Sequence, residues 1–481
     1  MSPNGFLPDP LPLPRIIQGG MGIGVSNWRL ANAVASLGQL GVVSCTAIDS
    51  VLCRRLQDGD PGGHMRRAME QFPLQHVAAE ALKRFFKPEG RAPSEPYIPL
   101  PMYQQLVTRA REQFTMLASF VEVHLAKEGH TGPVGVNLLT KVQMPNLALL
   151  YGAMLAGVDF VLMGAGIPRE IPGALDALAL HATAQMRLDL EDAAPGQAEY
   201  LRFEPRTHWD APPPALKRPR FLPIIASNSL ATMLVRKASG PVNGFVIEGP
   251  TAGGHNAPPR HPEISPETGD PVYGPRDEVD LAKIGELGLP FWIAGGAGRP
   301  ERLQEALAAG AAGIQVGTLF AYSEESGITD AIKHSVLDNV AAGTVRVKTD
   351  FRASPTGFPF KVVSWDGDPA EGVARKRVCD LGYLRNAYNR DGKTPGYRCA
   401  SEPEDQFIAK GGAEEETTGR KCLCNALLAT IGLAQQREDG FVETPILTSE
   451  DDLTNLEVFL AGRTRYHASE VVHWLLGKNG A

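Results

Sequence analysis

The sequence predicts an α/β protein of the (β/α)8 barrel class, also called the TIM barrel. Eight short apolar segments recur along the first two thirds of the chain, and helix-like segments separate most of them. Apolar strands are typical of a parallel sheet buried on both faces, and alternation with helices favours closure into a barrel. An open, doubly wound sheet is the competing architecture. The first strand is not followed by a Gly-x-Gly-x-x-Gly fingerprint, which disfavours that alternative.

The eight predicted strands follow one another at barrel-like spacing. They lie at residues 15–18, 41–44, 134–138, 160–163, 221–226, 244–248, 291–294 and 313–316. The predicted helices between them lie at residues 27–37, 144–156, 171–180, 231–238, 280–287 and 300–309.

Three regions do not fit a minimal barrel. Residues 49–131 form a long insertion after strand 2, and we expect it to be helical, with its best helix at 106–127. Residues 189–219 are polar and proline-rich and predict a loop between strands 4 and 5. Residues 350–481 follow the eighth strand and predict an appended subdomain that ends in two amphipathic helices. The expected division is therefore a barrel at 1–349 and an extension at 350–481.

The composition and charge of the chain exclude some classes of partner. The chain has 481 residues, 43% of them hydrophobic, and its 47 basic and 54 acidic residues give a net charge of −7. It has no polybasic block and no apolar run of about 18 residues, so we expect neither a nucleic-acid partner nor a membrane partner. Residues 1–14 lack the basic and apolar regions of a signal peptide. These observations predict a cytoplasmic protein with reduced cysteines.

Glycine-rich loops follow the last two predicted strands. The first has the sequence Phe-Trp-Ile-Ala-Gly-Gly-Ala-Gly-Arg-Pro at 291–300, and the second has Gly-Ile-Gln-Val-Gly-Thr at 313–318. Backbone N–H groups in such loops can approach a phosphate closely, because glycine has no side chain to block it. In a barrel the loops after strands 7 and 8 are the usual phosphate site. The sequence therefore predicts a phosphate site at these two loops.

Further candidates lie at the ends of strands 1 and 3. Strand 1 runs into Gly20, Met21 and Gly22, whose backbone could support a flat cofactor or form a tight turn. At the end of strand 3, Asn137 could bond to the polar edge of a flavin ring or cap the next helix. Nearby, Lys141 could favour negative charge on a reduced flavin or could be solvated.

A histidine follows a glycine pair after strand 6. His255 comes directly after Gly254 in the sequence Glu-Gly-Pro-Thr-Ala-Gly-Gly-His. Histidine exchanges protons near neutral pH, which suits proton abstraction from a weak carbon acid. The structural alternative is a loop histidine that bonds to the backbone. The position on the same barrel face as the phosphate loops favours the catalytic interpretation.

The extension carries four of the six cysteines, at Cys379, Cys399, Cys422 and Cys424. Four thiolates could hold zinc or an iron–sulfur cluster, but such sites usually have two close pairs, and here only Cys422 and Cys424 are close. We therefore expect no metal. Cys45, at the end of strand 2, could be a redox group, but a role in lining the core is favoured.

Taken in order, these motifs resemble those of the nitronate monooxygenase (2-nitropropane dioxygenase-like) family of FMN-dependent TIM-barrel oxidoreductases. The resemblance covers about residues 15–335. It implies an FMN phosphate on Gly295, Gly296, Gly317 and Thr318. It also implies a flavin ring against the loop after strand 1 with Asn137 at its edge, and His255 as the catalytic acid/base. The same group includes flavin enoyl reductases of fatty-acid and polyketide synthesis.

The resemblance leads to three functional hypotheses. The first is FMN-dependent oxidation of a nitronate or a related stabilised carbanion with O2. The second is NAD(P)H-dependent reduction of an activated C=C bond, and the third is a non-catalytic flavin-binding protein. The expected partners are a small-molecule substrate, NAD(P)H as a candidate donor, and a second copy of the chain in a candidate homodimer.

Overall fold

The computed structural model describes residues 12–261, 263–392, 394–451 and 453–478. Within these residues the strands, numbered β1 to β15 in chain order, are Ile16–Gln18, Gly41–Ser44, Val134–Leu139, Phe160–Gly164, Ala184–Leu188, Leu190–Glu191, Glu199–Phe203, Arg220–Ile225, Phe245–Glu248, Phe291–Ala294, Gly313–Val316, Arg346–Asp350, Phe360–Ser364, Asn386–Asn389 and Pro395–Arg398. The α-helices, numbered α1 to α17 in the same way, are Trp28–Ala35, Ile48–Gln57, His64–Met69, Gln75–Phe85, Arg109–Ala126, Asn146–Leu155, Ile171–Ala179, Asn228–Lys237, Leu281–Gly285, Pro300–Ala308, Thr318–Ala321, Asp330–Ala342, Glu404–Ala409, Glu414–Thr417, Leu423–Thr430, Thr454–Leu460 and Ala468–Leu475.

Eight parallel strands form the central sheet, in the order β1-β11-β10-β9-β8-β4-β3-β2. The two ends of this sheet meet, because Ile17 pairs with Leu40 just before β2. The Gln18 N–H donates to the Leu40 carbonyl at 2.9 Å, and the Leu40 N–H donates to the Ile16 carbonyl at 3.1 Å. The predicted (β/α)8 barrel is therefore confirmed, and each predicted barrel strand agrees with the observed one to within one residue at either end.

An apolar cluster fills the barrel interior. It consists of Ile17, Leu40, Val42, Phe160, Leu162, Leu222, Val246, Trp292 and Ala294. Trp292 is fully buried, and its indole N–H donates to the Pro14 carbonyl at 2.8 Å. This packing closes the lower part of the barrel, so that ligands reach the barrel from the carboxyl ends of the strands.

The insertion after β2 is helical, as predicted. It contains α2 to α5, and α5 packs against the barrel helices α1 and α6. No helix in the described part of the chain has the length and hydropathy of a membrane-spanning segment. The expectation that the chain lacks a signal peptide concerns residues 1–14, most of which lie outside the described residues.

The prediction of a loop at 189–219 is wrong for its first part. Strand β7 lies within this range and pairs antiparallel with β5, which ends just before the range, and β6 pairs in parallel with β14 of the extension. Buried and exposed residues alternate along β5, whose Ala184, Met186 and Leu188 face inward. The proline-rich stretch that follows hid this short alternating pattern.

The extension packs over the barrel and shares its core. Its hairpin, β12 with β13, begins at residue 346, so the predicted boundary at 349–350 falls at the end of β12. Near the C-terminus, α17 packs against α1 and α10, and the Tyr466 hydroxyl donates to the Leu319 carbonyl at 2.7 Å. These contacts place the extension directly beside the ends of the barrel strands.

Candidate active site

A cavity of about 220 Å³ lies at the carboxyl ends of the barrel strands. Every strand of the barrel contributes to its wall, through Gly19, Thr46, Asn137, Gly164, Ile224, Glu248, Ala294 and Gln315. This end of a (β/α)8 barrel is where catalytic residues of such enzymes collect. The cavity is therefore the candidate active site.

Nine of the eleven residues predicted from the sequence line this cavity. They are Gly20, Met21, Gly22, Asn137, Gly254, His255, Gly295, Gly317 and Thr318. Gly296 lines an adjacent cavity of about 660 Å³. Lys141 lies in a separate cavity beside β5 and β6, where its ammonium group is 3.4 Å from the centre of the Phe358 ring. The fold thus brings most of the predicted residues together, while their individual roles stay predictions.

The glycine loop after β1 is held in shape by Ser26. The Ser26 hydroxyl donates to the Gly19 carbonyl at 2.8 Å and accepts from the Met21 N–H at 2.9 Å. At Gly20, a Cβ atom would lie only 2.2 Å from the Cβ of Asn137. Glycine is therefore required at this position, because the backbone runs directly against the Asn137 side chain.

The loops after β10 and β11 form a cradle of backbone donors. Gly295 and Gly296 have φ angles of +88° and +63°, in the left-handed region that favours glycine. The Gly296 N–H donates to a carboxylate oxygen, Oε2 of Glu450, at 3.2 Å. Across the cradle, the Thr318 hydroxyl accepts from the Glu450 backbone N–H at 3.1 Å. The first loop therefore already presents an N–H group to an anionic oxygen.

The residues of the cavity offer groups that a flavin ring and a phosphate could use. Oxygen Oε1 of Gln315 is buried and has no hydrogen-bond partner among the described residues, so it could accept from the N–H edge of a flavin ring. The amide of Asn137 lines the same cavity. The carboxylate at Gly296 shows that the cradle accepts a negatively charged oxygen, which is what a phosphate would present.

His255 is fixed by residues of the extension. Its Nε2 atom lies 2.7 Å from the Ser354 hydroxyl, and its ring packs edge-on against Phe360 with ring centres 4.8 Å apart. The backbone on either side of His255 pairs with β13, where the Lys361 N–H donates to the Gly254 carbonyl at 3.0 Å. The pKa of His255 is lowered to about 4, mainly by burial and to a smaller extent by the positive charge of Lys141. The imidazole is therefore neutral at pH 7, and the same lowered pKa makes it a weaker base than a solvent-exposed histidine.

Glu248 is a candidate that the motif analysis missed. It ends β9 and lines the active-site cavity. Burial raises the pKa of its carboxyl group to about 7, and the positive charge of Lys361 partly opposes this rise. The sequence signal was a glutamate directly after three apolar strand residues. A carboxyl group at that position is held at the end of a buried strand, where it is partly removed from water.

The extension supplies the upper wall, which the sequence did not predict. Apolar side chains of Leu384, Leu423, Leu427, Ile446 and Leu447 line the cavity. The Thr448 hydroxyl accepts from the Gly254 N–H at 2.8 Å. Tyr383 also lines the cavity, and its hydroxyl donates to Oδ1 of Asp49 in the insertion at 2.5 Å. The motif Ser-Pro-Thr-Gly-Phe-Pro-Phe-Lys at 354–361 was the part of the sequence that could have indicated a contribution of the extension to the site.

The four cysteines of the extension lie near one another. The neighbouring Cys379 lowers the pKa of Cys399, the neighbouring Cys424 lowers the pKa of Cys422, and the charges of Cys399 and Cys379 also act on Cys424. Among the described residues, no group of three or more His, Cys, Asp or Glu side chains is arranged to hold a metal ion. Cys45 is fully buried, and burial raises its pKa, so this thiol stays protonated in the core.

Comparison with known proteins gives one match to a family model and one curated relative. Residues 211–356 match the family model described as nitronate monooxygenase. A curated relative from Rhodococcus jostii (strain RHA1), a (3aS,4S,5R,7aS)-5-hydroxy-7a-methyl-1-oxo-octahydro-1H-indene-4-carboxyl-CoA dehydrogenase, is 30% identical over 144 residues. That match covers 30% of this chain and 35% of the relative, so the chain spans about a third of the curated relative's length.

Solved structures with similar folds were also found. FabK from Thermotoga maritima has a TM-score of 0.48 at 15% identity, covering 97% of this chain and 92% of that one. Nitroalkane oxidase from Streptomyces ansochromogenes has a TM-score of 0.44 at 16% identity, covering 97% and 95%. The enoyl reductase domain of MlnA from Bacillus amyloliquefaciens has a TM-score of 0.45 at 12% identity, covering 96% and 93%.

The matched segment, 211–356, contains β8 to β12 and therefore His255, Glu248 and both cradle loops. The resemblance indicated by the motifs is thus confirmed: over residues 211–356 the chain resembles the nitronate monooxygenase family.

Proposed function

We propose that the protein binds FMN noncovalently and oxidises a nitronate or a related stabilised carbanion with O2. The observation that carries this proposal is the placement of a neutral, half-buried histidine and a phosphate-type cradle at the same end of one barrel. The cradle offers a place for one phosphate, and we propose FMN rather than FAD because the chain has no second fingerprint for an adenylate half.

Within this proposal the chain's own residues have separate tasks. The cradle residues Gly295, Gly296, Gly317 and Thr318 would hold the phosphate, and Gly20, Met21, Gly22 and Asn137 would border the ring. Bound FMN would supply a two-electron acceptor that O2 can reoxidise. The protein positions the substrate carbon and excludes bulk water, tasks to which the apolar wall of the extension contributes.

His255 would accept the proton that leaves the substrate carbon. Ser354 engages Nε2, and in the tautomer that donates Nε2–H to Ser354 the lone pair is on Nδ1. That nitrogen can remove the proton from the carbon of a neutral nitroalkane. Because burial keeps the imidazole neutral, the base form is present throughout the neutral pH range.

The experiment that tests the cofactor is direct. Purified protein is denatured, and the released flavin is separated by chromatography. We expect FMN, and recovery of FAD or of no flavin would contradict the assignment. Oxygen consumption is then measured with a nitronate and with its parent nitroalkane, and the proposed activity requires turnover of at least the nitronate.

A second candidate function is reduction or dehydrogenation next to an activated carbonyl. The apolar wall formed by the extension favours it, since this wall suits an alkyl or acyl substrate. The curated relative is, by its name, a carboxyl-CoA dehydrogenase. Anaerobic mixing with NADPH separates the candidates, because rapid bleaching of the flavin supports a reductase. A non-catalytic flavin-binding protein would retain a flavin that neither NADPH nor nitronates reduce.

We also propose a cytoplasmic location and a small-molecule substrate, without nucleic-acid or membrane partners. The support is the net charge of −7 and the lack of a polybasic block. A homodimer is a candidate assembly, which light scattering on the purified protein would test.

A further inference from the structure

Glu450 lies where the two cavities of the candidate site meet. Both cavities are lined by Gly295, Ala297 and Glu450. The carboxylate oxygen Oε2 of Glu450 accepts the Gly296 N–H at 3.2 Å, and the Glu450 N–H donates to the Thr318 hydroxyl at 3.1 Å. A single residue of the extension therefore contacts both loops that the phosphate is proposed to use.

The backbone around Glu450 is fixed. The Asp451 N–H donates to the Thr251 carbonyl at 3.1 Å, and the Asp451 carboxylate pairs with the buried ammonium group of Lys361. On the other side, the Ser449 hydroxyl donates to that of Thr318 at 3.3 Å. These bonds hold the chain on both sides of Glu450.

The adjacent cavity gives that side chain a place to go. It measures about 660 Å³, and Arg299, Arg302 and Glu305 are among the residues that line it. The side chain of Arg299 donates to the neutral amide of Asn455, whereas that of Arg302 donates to the carboxylate of Glu305 at 2.8 Å. A carboxylate that turned away from Gly296 would therefore come near the positive charge of Arg299, which is hydrogen-bonded to a neutral partner.

We propose that Glu450 acts as a surrogate anion, which occupies the phosphate cradle until FMN binds and then turns into the arginine-lined cavity. The inference rests on the proposed function, because it assumes that the phosphate of FMN uses the Gly296 N–H. One N–H group cannot serve a carboxylate and a phosphate together, and two anions at this distance repel each other. Glu450 therefore sets the affinity for the phosphate of the cofactor without contacting its ring.

Competition of this kind lowers the apparent affinity for FMN. FMN binds only to the fraction of the protein in which the Glu450 carboxylate has left the Gly296 N–H. FMN must displace the carboxylate, whereas riboflavin, which has no phosphate, need not. We expect Glu450→Gln to lower the Kd for FMN by about tenfold, because a neutral amide competes less well for the N–H than a carboxylate does. The Kd for riboflavin should change by less than about twofold.

The test uses full-length protein stripped of flavin. Quenching of flavin fluorescence gives the Kd for FMN and for riboflavin in the wild type, Glu450→Gln and Glu450→Ala. Glu438→Gln is the matched control, since it removes an exposed carboxylate of the extension outside both cavities. Urea unfolding of each variant confirms that it is folded before binding is compared.

The outcomes are distinct. Tighter binding of FMN but not of riboflavin, in both Glu450 variants and not in Glu438→Gln, supports the surrogate anion. Unchanged or weaker FMN binding in Glu450→Gln overturns it, as does an equal gain for both flavins. If wild type and variants bind neither flavin, the proposed function itself fails, and this inference fails with it.

Discussion

At the level of single residues, His255 is the side chain on which the proposed chemistry depends. We expect His255→Ala to retain FMN but to lose turnover by roughly 10²–10⁴-fold, the range for general acid–base catalysis. The loss should be largest with a neutral nitroalkane, whose carbon still carries the proton. A preformed nitronate has already lost that proton and serves as the internal control. Near-wild-type rates on both forms, at equal flavin content, would assign His255 a structural role.

The low pKa of His255 also predicts a pH-dependent stability. Its pKa is lowered in the folded state from 6.5 to about 4, so the folded protein binds this proton less tightly than the unfolded chain does. The resulting stabilisation is present above pH 6.5 and is lost as the pH falls towards 4, by up to about 3 kcal/mol. Urea unfolding of flavin-free protein between pH 7 and 4.5 measures it. His255→Gln should show a shallower loss, and parallel curves would exclude this contribution.

Glu248 should titrate near neutrality, because burial raises its pKa to about 7. We expect the flavin absorbance, or kcat/KM, of the loaded protein to show a transition near pH 7 that Glu248→Gln removes. Lys141 is the matched control, since its pKa is lowered to about 8 by burial outside the cavity. A transition that survives Glu248→Gln and disappears in Lys141→Met would assign it to the lysine instead.

At the level of elements, the barrel was predictable and the upper part of the site was not. Strands β1 to β4 and β8 to β11 are short, apolar and followed by glycine or helix signals, so local sequence determines them. The strand pair β5 and β7 was missed because its pattern is short and adjoins a proline-rich stretch. The contact between His255 and Ser354 joins residues 99 positions apart, and no local pattern encodes such a contact.

The cradle loop after β10 offers a test of phosphate binding. We expect Gly296→Asp to bind FMN much more weakly, because a second carboxylate beside Glu450 would repel the phosphate. Gly310→Asp is the control, since Gly310 also has a positive φ angle, +84°, and nothing lies within 4 Å of a Cβ there. Both variants carry similar backbone strain. Equal flavin occupancy in the two would place the phosphate elsewhere.

The cysteines of the extension should hold no essential metal. Cys379 lies beside Cys399 and Cys422 beside Cys424, but among the described residues no group of three or more His, Cys, Asp or Glu side chains has the arrangement of a metal site. Elemental analysis of protein purified without chelator should find less than one equivalent of zinc or iron. A full equivalent that is lost in the variant carrying Cys422→Ser and Cys424→Ser would contradict this expectation.

At the level of the whole molecule, one buried network joins the insertion to the extension. The carboxylate of Asp49, in α2, accepts from Arg111 of α5 at 2.6 Å and from the hydroxyl of Tyr383 in the extension. Asp49 and Arg111 are only 1% and 5% exposed, so their charges are desolvated and depend on each other.

Breaking that pair should be costly. We expect Asp49→Asn to lower the free energy of unfolding by about 3–5 kcal/mol, because it leaves the Arg111 charge buried without its partner. Glu305→Gln, in the exposed pair with Arg302, should cost less than about 1 kcal/mol. Urea unfolding gives the free energy of unfolding of both variants. Similar small losses in the two would show that solvent reaches the Asp49 network.

The late position of the extension has a consequence for biosynthesis. Ser354 and Thr448 both follow the last barrel strand, β11, which ends at Val316, so the ribosome completes the barrel strands before it adds the residues that fix the histidine loop. A nascent chain with a finished barrel would expose any captured flavin to solvent and oxygen. Full translation is therefore needed to close the site, and a prematurely terminated chain would carry the barrel without a protected redox centre.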